Sequence, residues 1–588
     1  MARNIFNSVP LKKIKRNSFD LSFTNDYTAD FGFLYPVICQ DAYAGEIYRI
    51  SLESFIRSMP LRAPAFTECN QSYHLFFVPY RLIYDDWSKF IVRGDDAVTN
   101  YDKPYITYEK FFEDNLYQLC VSGSLMDYLN FPTANSAAQL SEWQDIFATH
   151  TGDDAPRTKI DMLPFNAYNL IFNEYYRDEN LQPEVFIWSF SGLDNNIEEF
   201  QEYLQQLLDD GFDFTFAFPW ILRRRCWRKD YFTSALPFSQ KGPEISLMGV
   251  VNPASGEETV QVNFGLSNWQ LGDPNTWFLN LANTSQPIAE LWATPSTGAP
   301  VDSSVDYSQH THSVSSTSRE AVAYIRLPEM QSTLMTISDL RVGLALQQWF
   351  ELDARVGSSR YFEYLLGHFG VRDRDSRLQR PEYIGGFTHA IQISEVEQTS
   401  ATNETSPQGN LAGRGLGYAV NKPLTYRVPE PGFIMCLSSM RPRAYYYQGM
   451  PRKYQTWDSF DYYDPLFDHI GEQAIKRSEL IFDPNIVPLS DDDLDFGYTP
   501  YYSHRRAHLN EIHGGFRSDL SYWISPREVS EFQKLDYKFI EIDGYEQGLY
   551  DMFSFVGDSN NVSPHFNVHL NVHMKLISPM SKYAVPGL

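Results

Sequence analysis

The chain has 588 residues, 43% of them hydrophobic and 21% charged, with 33 glycines and 34 prolines. That balance excludes a disordered chain and collagen-like or low-complexity classes. The formal net charge of −26 argues against wholesale coating of nucleic acid, and no run approaches the ~18 apolar residues of a membrane span.

Residues 1–20 read as a basic N-terminal arm. Arg3, Lys12, Lys13, Lys15 and Arg16 stand there without an acid before Asp20. Such an arm can neutralise phosphates and release their counterions, or it can be a solvated tail. The segment MARNIFNSVPLKKIKR has no apolar core of a secretory signal, so none is expected. Residues 31–78 carry Val, Ile, Phe and Tyr runs broken by Pro36, Gly45, Pro60 and Pro64, the pattern of short strands and turns. At 197–208 the period changes to that of a helix. Ile197, Phe200, Leu204, Leu207 and Leu208 share a face opposite Glu198, Glu199 and Glu202, and Gly211 is the stop. Phe212, Phe214, Phe216 and Phe218 alternate with smaller or polar residues and predict a strand with one aromatic face.

The stretch 244–335 differs from the rest. It is rich in Ser, Thr, Asn, Gly and Pro, and holds nine acids and two bases. An exposed, loop-rich insertion is expected. A helix follows from Thr336 to Arg355, with Thr336 and Asp339 placed as a capping box. Near the C-terminus, Phe566, Val568, Leu570, Val572 and Met574 alternate with Asn567, His569, Asn571 and His573, which predicts a half-buried strand.

Motifs for catalysis are missing. There is no phosphate-binding GxxxxGK[ST], no GxSxG and no HExxH, and Gly413, Gly415 and Gly417 lack the last glycine of GxGxxG. His310 and His312 lie in the insertion, and His504 and His508 flank two arginines. His565, His569 and His573 would share a helix face, but on a strand His569 and His573 stand roughly 13 Å apart and cannot share an ion. Asp491, Asp492, Asp493 and Asp495 are candidate ligands for a structural divalent cation, without the EF-hand spacing; a solvated acidic turn is the competing reading. No other cofactor is expected. Cys39, Cys69, Cys120, Cys226 and Cys436 are widely spaced with no CxxC, which predicts free thiols.

Two basic segments remain. Arg223, Arg224, Arg225, Trp227, Arg228 and Lys229 interleave charge with an aromatic, a pattern suited to single-stranded nucleic acid or to a surface turn paired with acids. Arg372, Arg374, Arg377 and Arg380 alternate with acids, and across 336–387 seven Arg balance seven acids. This predicts ion pairs at a subunit interface, where the planar guanidinium is favoured.

Several long segments carry a resemblance. They include SFDLSFTNDYTADFGFLYPV (Ser18 to Val37), SFIRSMPLRAPAF (Ser54 to Phe66), LPFNAYNLIFNEYYRDENLQP (Leu163 to Pro183) and RKDYFTSALPFSQKGP (Arg228 to Pro243). SRYFEYLLGHFGVRDRDSRLQRPEYIGGF (Ser359 to Phe387), IQISEVEQTS (Ile391 to Ser400), FDYYDPLFDHIGEQAI (Phe460 to Ile475) and IHGGFRSDLSYW (Ile512 to Trp523) follow in order. Together they resemble the major capsid protein of the Microviridae, nearer its gokushovirus-like branch. The resemblance implies a mainly β fold, an eight-stranded antiparallel jelly roll of viral capsid type over residues 21–588, with long insertions. It implies a T=1 icosahedral shell around circular single-stranded DNA and no enzymatic activity. It also implies internal DNA-binding and pilot proteins, a host surface receptor, no membrane insertion, assembly in the bacterial cytoplasm and residence in the virion. The insertion at about 244–335 would form protrusions that contribute to host attachment. An alternative from another class is a carbohydrate-binding or carbohydrate-active β-sandwich, which fits the 15% aromatic content and the many acids.

Overall fold

The computed structural model describes residues 16–92, 103–108, 119–149, 159–188, 197–242, 259–263, 291–294, 322–326, 337–355, 360–397, 411–482, 495–529, 534–543, 547–553 and 564–583. The chain divides into two compact units, Met1–Lys241 with Phe350–Leu588, and Gly242–Trp349. In the second, β8 (Thr259–Asn263), β9 (Leu291–Thr294) and β10 (Val322–Arg326) make an antiparallel sheet with β10 central.

The first unit is organised by one curled antiparallel sheet. Its strands are β1 (Asn17–Asp20), β2 (Phe23–Ala29), β3 (Leu34–Ala42), β4 (Ile47–Ser58) and β5 (Cys69–Pro79), then β11 (Glu382–Glu397), β12 (Leu411–Val420), β13 (Leu424–Arg427), β14 (Gly432–Pro442) and β17 (Phe566–Ser578). The order is β1-β17-β4-β12-β11-β5-β14-β3, with β2 also on β17 and β13 also on β4. These ten strands fill eight rows. β1 and β2 lie end to end along one edge of β17, because β4 takes the other edge. β12 and β13 likewise share one edge of β4. The mainly β, jelly-roll type fold expected from the resemblance is what the sheet describes. Two minor pairs complete the unit, β6 (Tyr105–Thr107) with β7 (Lys159–Asp161) and β15 (Glu472–Lys476) with β16 (Asp495–Pro500).

The curl is made by β11. Its residues Glu382 to Ile391 pair with β5, and Gln392 to Glu397 pair with β12. One strand therefore belongs to two layers, and the layers face each other across a common core. β17 supplies Phe566, Val568, Leu570, Val572 and Met574 to that core, as its alternation requires. β4 supplies Tyr48, Ile50, Leu52 and Ile56, and β5 and β14 supply Tyr73, Leu75, Phe77, Ile434, Cys436 and Met440. β5 and β14 are buried on both faces, so their sequences do not alternate. Their other side chains, Phe76, Val78, Met435 and Leu437, pack in a second core with Phe165, Tyr168, Ile171 and Phe172 of the helical segment that starts at Leu163. Pro36 sits in β3 beside a register shift, where a residue without an N–H is tolerated.

A polar knot lies between the layers. Tyr27 Oη is 2.8 Å from Ser438 Oγ and 3.3 Å from Tyr73 Oη. Ser54 Oγ is 2.8 Å from Tyr73 Oη and donates to Gln71 Oε1 at 3.2 Å. Gln71 Nε2 donates to both Tyr27 and Ser438 at 3.2 Å. All five residues are buried. Burial pushes the Tyr73 hydroxyl up to about 12 and raises that of Tyr27 well above its ordinary value, so both remain neutral. The knot joins β2 and β4 of one layer to β5 and β14 of the other.

Four expectations need correction or limits. The expected bound of the arm at residue 20 overlaps the sheet, since Asn17 to Asp20 form β1 opposite Ser578 to Lys575. Phe212 to Phe218 are not a strand, since Phe214–Phe216 is a 3₁₀ turn. Asp213 Oδ1 accepts from Thr215 N at 3.1 Å and bends the chain there. The rings then diverge, Phe212 and Phe216 to Tyr537, and Phe218 to Phe200 and Trp220. The helix at 197–208 is present as Ile197–Asp209 and ends before Gly211 at φ 79°, though Leu208 faces outward. The later helix is Ile337–Arg355, and its proposed cap Thr336 lies outside the described residues.

Replacing Gln71 with Leu should destabilise the subunit by about 2 kcal/mol, because it leaves the Tyr27 and Ser438 hydroxyls short of a partner in the core. Urea unfolding of the soluble subunit measures this. An unchanged midpoint would mean that the knot does not hold the layers.

Candidate assembly and nucleic-acid surfaces

The segment Arg223 to Lys229 runs extended between two other stretches. Leu34 N donates to Arg223 O, Arg225 N to Gly32 O, Trp227 N to Ile540 O, and Ile542 N to Arg225 O. Extended backbone sends alternate side chains to opposite sides, and this divides the basic residues.

Arg223 is buried, and Trp227 is 4% exposed. The Arg223 guanidinium donates to Asn169 Oδ1 at 3.0 Å, to Thr215 O at 2.9 Å and to Phe218 O. Loss of solvent lowers its pKa to about 10, which leaves it charged at neutral pH. Arg225 reaches Ser72 and Ser439 on the outer face of β5 and β14 and stacks over Tyr176 at 5.3 Å. Trp227 is covered by the Arg527 guanidinium at 5.1 Å. Reading Arg223 and Trp227 as nucleic-acid contacts therefore needs correction. The alternation of the strand turns them into the protein, where they fasten loops to the sheet. Arg224 pairs with Asp543 at 3.4 Å and Lys229 pairs with Asp178. Arg228 is exposed and has no ion-pair partner among the described residues.

The Arg223 clamp depends on a feature that sequence reading missed. Asn166, Asn169 and Asn173 recur at i, i+3 and i+7 on the buried face of the helical segment, where apolar residues would be usual. Asn166 Nδ2 donates to Ile83 O at 3.1 Å and Trp188 O at 2.6 Å, while its Oδ1 accepts from Trp188 N at 3.2 Å. Asn169 Nδ2 donates to Pro219 O at 2.6 Å. Asn173 exchanges two 2.9 Å bonds with the backbone of Val185. Three amides thus satisfy the backbone of chain segments that have no strand partner. The signal in the sequence was their common helical face.

The four arginines read as interface residues also divide. Arg372, Arg374 and Arg377 are exposed, with Arg377 3.3 Å from Asp373. Arg380 is buried against Tyr175 at 4.2 Å and Phe362 at 4.8 Å, and lies 3.6 Å from Asp375 and 3.8 Å from Glu174. Its place is in the subunit's own packing. Arg16 is exposed and leads directly into β1; Arg3, Lys12, Lys13 and Lys15 lie outside the described residues.

Asp491, Asp492 and Asp493 also lie outside the described residues, and Asp495 opens β16 opposite Lys476. Among the described residues no group of three His, Cys, Asp or Glu is arranged to hold a metal. His565, His569 and His573 meet carboxylates instead, Asp30 at 3.1 Å, Asp26 at 2.5 Å and Glu53 at 3.5 Å. Hydrogen bonds from Tyr418 and His573 hold the Glu53 carboxyl below its usual range. His310 and His312 fall outside the described residues. Among those residues no helix is long and apolar enough to cross a membrane.

Large apolar side chains stand on the surface of the sheet-bearing unit. Trp457 is 81% and Leu466 84% exposed, and Phe369, Phe460 and Tyr462 are also exposed. Exposed apolar surface of this kind marks sites of contact with other macromolecules. Together with the curled two-layer sheet it fits a structural subunit of the viral capsid type.

A family model described as capsid protein (F protein) matches residues 7–588, and the chain belongs to that family. It is 31% identical to capsid protein VP1 of Chlamydia phage 1 over 100% of this chain and 98% of that protein. It is 29% identical to capsid protein VP1 of Bdellovibrio phage phiMH2K, over 90% of this chain and 87% of the other. It is 28% identical to capsid protein VP1 of Spiroplasma virus 4, over 95% and 92%. The resemblance to the Microviridae major capsid protein, on its gokushovirus-like side, therefore holds. The chain is a structural major capsid protein that assembles with itself into the shell of a virion.

Arg223→Met should cost about 3 kcal/mol of subunit stability, because Asn169, Thr215 and Phe218 lose their donor in a buried site. Arg228→Met should change stability by less than about 0.5 kcal/mol. Thermal melting of the two variants checks the division; equal effects would contradict it.

Proposed function

We propose that this subunit closes a T=1 icosahedral shell around circular single-stranded DNA, with the basic arm turned to the genome and no catalytic role of its own. The observation that carries the reading is the family match over residues 7–588, which takes in most of the arm as well as the sheet. Arg16 supports the orientation of the arm, since it is exposed and the sheet begins one residue later. A charge of +5 over residues 1–19 of a −26 chain supports contact with DNA phosphates and leaves the remainder acidic. Arg224, Arg228 and Lys229 are candidates for further phosphate contacts. Arg372, Arg374 and Arg377 are candidates for contacts between subunits. Asp491, Asp492, Asp493 and Asp495 stay proposed as ligands of a structural divalent cation.

The insertion at about 244–335 would face outward and contribute to host attachment. Its composition, with few bases and many turn-forming residues, supports that assignment. Small internal DNA-binding and pilot proteins and a host surface receptor complete the proposed partners, and assembly takes place in the bacterial cytoplasm.

Replacing Lys12, Lys13, Lys15 and Arg16 with Gln should leave particles intact and lower their nuclease-protected DNA. Protected DNA equal to wild type would remove the arm from packaging. Deleting most of 244–335 should spare assembly and abolish adsorption to host cells. Subunits that no longer fold would count against an outward loop.

A further inference from the structure

The stretch Tyr454 to Ile470 is unusual in what it exposes and in how it is held. Its sequence has four aspartates and neither Lys nor Arg. It consists of 3₁₀ turns at Ser459–Asp461 and Pro465–Phe467 with extended links. Tyr454, Trp457, Phe460, Tyr462, Leu466 and Ile470 are all more than half exposed.

A loop that simply lacked a place to fold would not be tied down. This one is. Asp461 Oδ2 accepts from Trp457 N at 2.8 Å and Asp458 N at 3.0 Å, which holds its carboxyl below the ordinary carboxylate range. Asp464 Oδ1 accepts from Leu466 N at 2.8 Å. Tyr502 Oη donates to Tyr462 O at 3.0 Å and accepts from Asp464 N at 3.1 Å. Arg506 reaches Asp468 at 2.5 Å, and Arg505 stacks over Tyr463 at 4.9 Å. The apolar side chains are thus fixed outward before any partner arrives, which cuts the ordering cost of binding.

Six such side chains present roughly 700 Å², close to the ~800 Å² that each partner gives to a standard interface. A surface of matching chemistry exists on the same chain. The helix Tyr361–Phe369 exposes Tyr361, Leu366 and Phe369 and is followed by exposed Val371, Arg372 and Arg374. Arg372 and Arg374 form no ion pair among the described residues, so two cations stand beside an apolar face.

We infer that the acidic aromatic stretch Tyr454 to Ile470 of one copy packs on the Tyr361 to Arg374 surface of a second copy. Opposite charge sets the register, and the aromatic and leucine side chains exclude water. The contact joins two different patches, so in a head-to-tail arrangement it can repeat around a ring or shell. The inference rests on the shell reading and adds the surface that performs it.

The test uses the full chain in conditions where wild type forms particles. Trp457→Ala with Leu466→Ala should keep the wild-type melting midpoint, weaken self-association by about 30-fold or more in sedimentation, and leave few closed particles by electron microscopy. Arg372→Glu with Arg374→Glu should do the same from the other side, and it decides the matter if the first pair fails to fold. Co-expressed Leu466→Cys and Val371→Cys chains should give an oxidised dimer with one chain of each kind. Wild-type yields of particles from both double variants would overturn this surface while leaving the shell reading intact. So would assembled variants that lose only an internal viral protein or host binding. A wild-type chain that neither associates nor forms particles would overturn the shell reading and this contact with it.

Discussion

The fold depends on two sheet layers held face to face by a polar knot in an otherwise apolar core. Tyr27, Ser54, Gln71, Tyr73 and Ser438 are buried together, and the bonds that Tyr27 and Ser54 make to Gln71, Tyr73 and Ser438 join strands that would separate if the layers slid. Apolar packing alone sets little register, since it is non-directional. A buried hydrogen-bond network penalises any other register, because each displaced hydroxyl loses its partner. β11 adds the covalent counterpart, being a member of both layers. A sandwich fixed in this way can carry long excursions of chain without losing its frame.

Those excursions carry large apolar side chains that stand exposed on the subunit. The outer faces of β5 and β14 are covered by the segment from Leu163 and by Arg223 and Arg225, so they belong to the subunit's interior. Trp457, Phe460 and Tyr462 lie elsewhere, on a loop braced by aspartates and the Tyr502 hydroxyl. A shell subunit needs this separation. Its core must be stable before assembly, and its contact residues must be ordered yet uncovered.

Much of the fold was legible in the residues. The alternation of 566–574 predicted β17 and its buried face, and His569 and His573 stand on its other face, each beside a carboxylate. Double-sided burial erased the same signal in β5 and β14, where polar and apolar residues both point inward. The alternation of Phe212 to Phe218 misled, because an Asx turn at Asp213 outweighed the pattern. For the sites, charge composition identified segments and not orientations. Arg223 and Arg228 look alike in sequence, yet one is buried and the other exposed, and Arg380 differs from Arg374 in the same way. Only the path of the backbone separates them.

A reconstruction of assembled particles by electron cryomicroscopy tests the account most directly. It should show a closed shell of repeated two-layer sandwiches, with the chain before Asn17 on the DNA side and the aromatic stretch covered by a neighbouring copy. Discrete monomers or trimers under every expression condition, or a shell with Asn17 on its outer surface, would contradict it.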